Sequence, residues 1–148
     1  MKKVIVSLCM LATLSFAMET GTKSLGGSGT ITLGDPMTMN INANVGYFAM
    51  DNIEASVGLG LADDGLGGDM VISYAFGGNY YMGSMYGGGK YSGTTVEGSD
   101  GALDFRGGYL MGLGEGSTFL NLYGNYNMGL GDGAKGVLSV GFGIVTFF

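Results

Sequence analysis

Two stretches decide the fold: Met37-Thr38-Met39-Asn40-Ile41-Asn42-Ala43-Asn44-Val45-Gly46-Tyr47 and Ile53-Glu54-Ala55-Ser56-Val57-Gly58-Leu59-Gly60-Leu61. In both, every odd position is apolar and every even position is small or polar. A period of two puts the two sets on opposite faces of an extended chain, so each stretch predicts a β-strand. Asp51-Asn52 lies between them and predicts a tight turn, which joins the strands as a hairpin.

The alternation continues outward from this hairpin. Met70, Ile72, Tyr74, Phe76 and Tyr80 face away from Ser73, Ala75, Gly77 and Asn79. Leu103, Phe105, Tyr109, Met111 and Leu113 oppose Asp104, Arg106, Gly108 and Gly112. Leu120, Leu122, Tyr126, Met128 and Leu130 oppose Asn121, Tyr123, Asn125 and Asn127, and Leu138, Val140, Phe142 and Ile144 oppose Ser139, Gly141 and Gly143. Leu25 to Leu33 and the glycine-rich Met85 to Val96 complete a set of eight expected strands. Turn-forming residues separate them at 35–36, 63–69, 83–84, 98–101, 114–117 and 131–133.

The polar face identifies the solvent of each side. It is built from Gly, Ser, Asn, Ala and Thr with few charges, which suits a confined interior better than a wet surface. The apolar face is almost uncharged, as a lipid-facing exterior requires. Strands of about 9–11 residues cross the hydrocarbon layer when tilted, and closure removes the edges that would pair with other chains. The expected fold is therefore all-β: an eight-stranded antiparallel up-and-down transmembrane β-barrel. Its competitor is a secreted, soluble, glycine-rich β-protein that self-associates through its edges, adhesin-like.

Composition excludes much else. Of 148 residues, 32 are Gly and only one is Pro; 46% are hydrophobic and 12% charged. Disorder needs the reverse balance, and collagen a strict glycine period with abundant proline. With no His and a single Cys, Ser-His-Asp triads and most zinc sites are ruled out. A net charge of −6 and a pI near 4.2 oppose nucleic-acid binding.

Residues 1–17 read as a signal peptide. Lys2 and Lys3 precede an apolar run from Val4 that closes on Ser15-Phe16-Ala17, so cleavage is expected after Ala17 and the barrel domain is expected to occupy 18–148. The mature chain would then carry four basic against twelve acidic residues and no cysteine.

Tyr47, Phe48, Tyr80, Tyr81, Tyr109, Phe147 and Phe148 cluster near strand ends on the side of the chain termini and are expected to form a periplasmic-side interfacial girdle. Asp35, Asp63, Asp64, Asp69, Glu97, Asp100 and Asp132 fall at the opposite, external ends.

Two pieces of this sequence resemble a known family. Val45 to Gly58, read as a hairpin, and the alternating C-terminal segment that closes on Phe148 are similar to small bacterial outer-membrane β-barrels of the outer-membrane-protein-A/W-like kind. The resemblance implies a bacterial outer-membrane location, surrounding outer-membrane lipid and lipopolysaccharide, and insertion by the barrel-assembly machinery with Phe148 as its signal. The external connections are short for that family, and no periplasmic domain is expected, so peptidoglycan binding is not implied.

Within the expected lumen, Glu54, Lys90, Asp104 and Arg106 are the charged strand residues. Opposite charges in so narrow a space are expected to pair, either as a structural plug or as a constriction selecting a small solute. Interior glycines such as Gly58, Gly108 and Gly141 leave room for a narrow water-filled path. Asp63 to Asp69 offers carboxylates to a divalent ion but lacks EF-hand spacing, and is read as a solvated loop. Gly131 to Gly136 matches GxGxxG yet precedes a strand, so it is read as a turn. We expect no catalytic residues, metal or cofactor. The expected function is a structural or surface-interaction role in the cell envelope, and the alternative is a narrow passive channel for water, ions or very small solutes.

Overall fold

The structure, a computed structural model, describes residues 18–32, 38–63, 71–96 and 100–148. The expected signal peptide and Asp35, Asp64, Asp69 and Glu97 lie outside them. Eight strands follow in order: β1 (Lys23–Thr32), β2 (Thr38–Met50), β3 (Ile53–Asp63), β4 (Val71–Met82), β5 (Met85–Thr94), β6 (Ala102–Gly112), β7 (Thr118–Gly129) and β8 (Val137–Phe147). Each pairs antiparallel with its neighbour, and β8 returns to β1, which closes the barrel.

The closing seam is regular. Ser24 faces Phe147 and Ile31 faces Val140 in register. Backbone amides of Lys23 and Phe148 exchange hydrogen bonds of 2.8 and 3.0 Å. Closure therefore pairs β1 and β8 from Ser24 to Ile31 and from Val140 to Phe147, the kind of edge pairing that a hydrocarbon environment demands.

Alternation in the sequence becomes outside and inside in the barrel. Leu59, Phe76, Phe105, Leu138, Val140 and Phe142 all point outward, Leu138 reaching 74% exposure. Soluble monomers rarely expose a continuous apolar band of this kind, which marks a membrane or partner surface. Met39, Met82, Met85, Met111 and Met128 share that outer face and add flexible apolar filler.

The turns after β2, β4 and β6 lie on one side, together with Met18 and Phe148. Asp51-Asn52 connects β2 to β3, with Asn52 at φ 64°, a left-handed conformation that Asn tolerates well. Met18 folds under the same end: its amide donates to Asn52 Oδ1 at 3.1 Å, and its carbonyl accepts from the Asn52 amide at 2.8 Å. We call this the terminus side, and the opposite end the loop side.

Candidate functional site

Among the described residues the lumen gathers the buried charged and polar side chains, and it is layered along the barrel axis. At the terminus side the core is apolar and aromatic: Met18, Phe48, Tyr81, Tyr86, Leu110, Phe119, Tyr123, Val145 and Phe147 are all buried. Phe48 contacts Tyr81 and Phe147 with ring centroids 5.3 and 5.9 Å apart, and Phe119 meets Phe147 edge-on at 5.5 Å. Offset and edge-to-face packing of this kind adds to the burial of apolar area.

This corrects part of the expected aromatic girdle. Tyr47, Tyr80 and Phe148 do lie exposed on the outer face, with Tyr109 partly so. Phe48, Tyr81 and Phe147 instead point inward, and Phe48 has no exposed surface at all. Strand geometry is the reason. Tyr47-Phe48, Tyr80-Tyr81 and Phe147-Phe148 are adjacent pairs, so one member of each must face the lumen.

Tyrosine hydroxyls cap this apolar layer toward the barrel centre. Tyr81 donates to Glu54 Oε2 at 2.9 Å, Tyr86 to Asn121 Oδ1 at 2.9 Å, and Tyr123 to the Gly29 carbonyl at 3.3 Å. Glycines make the space for two of these rings. Gly108 pairs with Tyr86 across β5 and β6, and Gly141 pairs with Tyr123 across β7 and β8; a Cβ on either would run into the ring. Two of the interior glycines expected to leave the lumen unfilled are thus filled from the neighbouring strand.

The four charged lumen residues lie at successive depths, with a carboxylate level at each end. Glu54, buried near the terminus side, accepts hydrogen bonds from Ser24 Oγ, from Asn79 Nδ2 at 2.7 Å and from Tyr81. Asp104, on the loop side, accepts from Ser92 Oγ, and from Asn125 and Asn127 Nδ2 at 2.9 Å each. Arg106 lies between these levels with its guanidinium carbon 3.9 Å from the Tyr123 ring centroid. Lys90 sits opposite Asp104 in the β5–β6 register.

Of the expected opposite charges, Lys90 and Asp104 are cross-strand neighbours, and neutral donors surround both lumen carboxylates. Each carboxylate is saturated by three neutral donors, which come within reach because Ser, Asn and Tyr alternate onto the same inner face. Charge-assisted bonds to neutral donors compensate part of the cost of burying these carboxylates. Glu54 and Asp104 belong to separate hydrogen-bonded sets and do not form an acid–base pair.

Lumen cavities shrink along the axis. A cavity of about 470 Å³ on the loop side is lined by Asn40, Ser73, Lys90, Thr94, Asp104 and Asn125 among others. Below it a space of about 50 Å³ lies between Asn44, Asn79, Lys90 and Arg106. A last space of about 30 Å³ lies between Glu54, Tyr81, Tyr86 and Asn121. The lower two hold a few water molecules at most, and the aromatic layer follows.

Two solved structures resemble this architecture. The crystal structure of the N-terminal β-barrel domain of Pseudomonas aeruginosa OprF matches with a TM-score of 0.69 at 14% identity, covering 88% of this chain and 100% of that one. The fold is that of a transmembrane β-barrel. A structure from the de novo design of transmembrane β-barrels agrees, with a TM-score of 0.57 at 16% identity over 90% of this chain and all of the other. No protein-family model and no curated protein matches the sequence. At these identities the likeness carries the transmembrane barrel fold and nothing of its lumen chemistry.

Proposed function

We propose that this chain is a bacterial outer-membrane β-barrel protein with a structural and surface-interaction role, and that its lumen does not conduct. The layer of Phe48, Tyr81, Phe119 and Phe147 across the terminus-side end is the observation that carries it. Any path from the loop-side cavity must cross the Glu54 and Arg106 level and then this dry aromatic layer. An eight-stranded barrel has little interior beyond its own side chains, and here large rings occupy it.

The same reading assigns the flanking features. Outer-membrane lipid and lipopolysaccharide surround the apolar exterior, residues 1–17 direct export, and the strand ending at Phe148 is presented to the barrel-assembly machinery. Catalysis has no support: both lumen carboxylates are occupied by neutral donors, and the sequence has no histidine.

Conductance across a planar lipid bilayer tests the proposal. The refolded protein is expected to insert without producing stepwise current. Steady ohmic steps would overturn it and favour the narrow channel.

A further inference from the structure

The loop-side cavity is more than residual space. Five buried side-chain polar atoms among the described residues lack a hydrogen-bond partner: Asn40 Oδ1, Ser73 Oγ, Thr94 Oγ1, Arg106 Nε and Asn125 Oδ1. All five belong to residues lining this one cavity. They come from five different strands, β2, β4, β5, β6 and β7, so they surround the space. Buried polar groups are ordinarily paired, and such a concentration at a single site marks where a polar molecule or water completes the bonding.

Asn125 is the most informative of them. It is only 9% exposed, and its amide nitrogen is fixed on Asp104, which leaves the carbonyl oxygen as a preset acceptor. Its orientation is thus held by the same carboxylate set that stiffens the lumen wall.

We propose that this vestibule binds an uncharged, polyhydroxylated solute of about mono- to disaccharide size. Charge balance argues for neutrality, since Lys90 and Arg106 are matched by Asp100 and Asp104 around the cavity. A bare anion would meet the Asn40 and Asn125 carbonyls and Asp104; a cation would meet Lys90 and Arg106. Hydroxyl groups both donate and accept, and so answer the carbonyls, the Ser73 and Thr94 hydroxyls and the Arg106 N–H together. A volume of about 470 Å³ falls within the range of small-molecule sites. The binding gives content to the surface-facing role proposed above and rests on it, but it is read without any measurement of conductance.

The test is an NMR titration of the refolded protein in a detergent without a sugar headgroup, using glucose, maltose and inorganic phosphate. Either sugar is expected to shift amide signals around Ser73, Thr94 and Asn125 and the Asn125 side-chain amide, saturably, whereas phosphate is not. Ser73→Ala/Thr94→Val removes two unpaired hydroxyls without touching the Asp104 set and is expected to weaken binding about tenfold, or about 1.4 kcal/mol. Asn40→Ala is expected to weaken it likewise and serves if the double variant does not fold. Absence of saturable shifts with both sugars, equal or stronger shifts with phosphate, or unchanged affinity in the folded variants would overturn the proposal. A conducting barrel with no sugar binding would remove both proposals, and a silent barrel with no sugar binding would remove this one alone.

Discussion

The Arg106 guanidinium lies over the face of the Tyr123 ring, 3.9 Å from its centroid, bridging β6 and β7 inside the lumen. This contact divides the barrel interior. Above it is a polar vestibule; below it are tyrosine hydroxyls and then an aromatic layer. Arg106 is thus the floor of the vestibule and the roof of the seal.

The division separates two ways of opening the barrel. Arg106→Ala removes a cation–π contact worth about 0.5–2 kcal/mol and leaves Phe48, Tyr81, Phe119 and Phe147 in place. It is expected to lower the urea midpoint modestly and to remain silent in planar bilayers. A conducting Arg106→Ala barrel would move the seal to the charged level.

Phe48→Ala/Phe147→Ala acts on the seal itself. Removing two buried rings from one packed layer is expected to cost at least about 3 kcal/mol, and to produce small conductance steps in the fraction that refolds. Folded but silent double-variant barrels would show that the aromatic layer is not what blocks the lumen.

Glu54 tests the neutral-donor solution to burial. Glu54→Ala leaves Ser24, Asn79 and Tyr81 donors without their acceptor, and each such loss costs about 1–3 kcal/mol. Equilibrium urea unfolding in lipid vesicles is expected to show a loss of several kcal/mol in Glu54→Ala. Glu54→Gln, which keeps one acceptor oxygen, is expected to lose less. Equal stability of the two variants would contradict the assignment.

At the terminus-side turn, Asp51 Oδ1 accepts from the Thr20 amide at 2.9 Å and the Thr20 hydroxyl at 2.8 Å. The backbone bond first, then the side-chain bond, hold the Asp51 carboxyl below its ordinary pKa of 3.8. A depressed folded-state value makes its contribution fully present above pH 3.8 and lost as the pH falls through the folded value. Wild type is therefore expected to exceed Asp51→Asn in stability at neutral pH, and the gap to close on acidification below the ordinary value. Because Asp51 is fully exposed the gap is small, and urea midpoints measured at matched salt will resolve it. A gap that persisted at low pH would assign the difference to something other than the carboxylate.

Much of this barrel is legible in the chain. Thr38 to Tyr47 and Ile53 to Leu61 each alternate strictly, and the structure turns them into β2 and β3 with the turn where Asp51-Asn52 predicts it. The expected ends drift by one or two residues where glycine weakens the signal: β5 stops at Thr94 and β1 starts at Lys23. The seal was harder to read, because aromatics near strand ends suit a lipid interface as well as a lumen floor. Parity was the available signal. Phe48 follows Tyr47 on the even face that carries Asn44 and Gly46, so strict alternation sends it inward. Leu110, Phe119 and Val145 join it by the same rule. What a single sequence does not encode locally is which neighbours reach Glu54 and Asp104, since those bonds depend on the register between strands. Asn79 faces Glu54 and Asn127 faces Asp104 only once β3–β4 and β6–β7 are aligned.

The central claim is that the apolar face is outside and the polar face inside a closed, lipid-spanning barrel. Electrophoretic mobility of the detergent-refolded protein, with and without boiling, tests it most directly. A compact, detergent-resistant barrel predicts a faster band in the unboiled sample that converts to a slower one on boiling. A single band indifferent to heat, from a protein that also stays soluble without detergent, would contradict the account by making the apolar face a buried core.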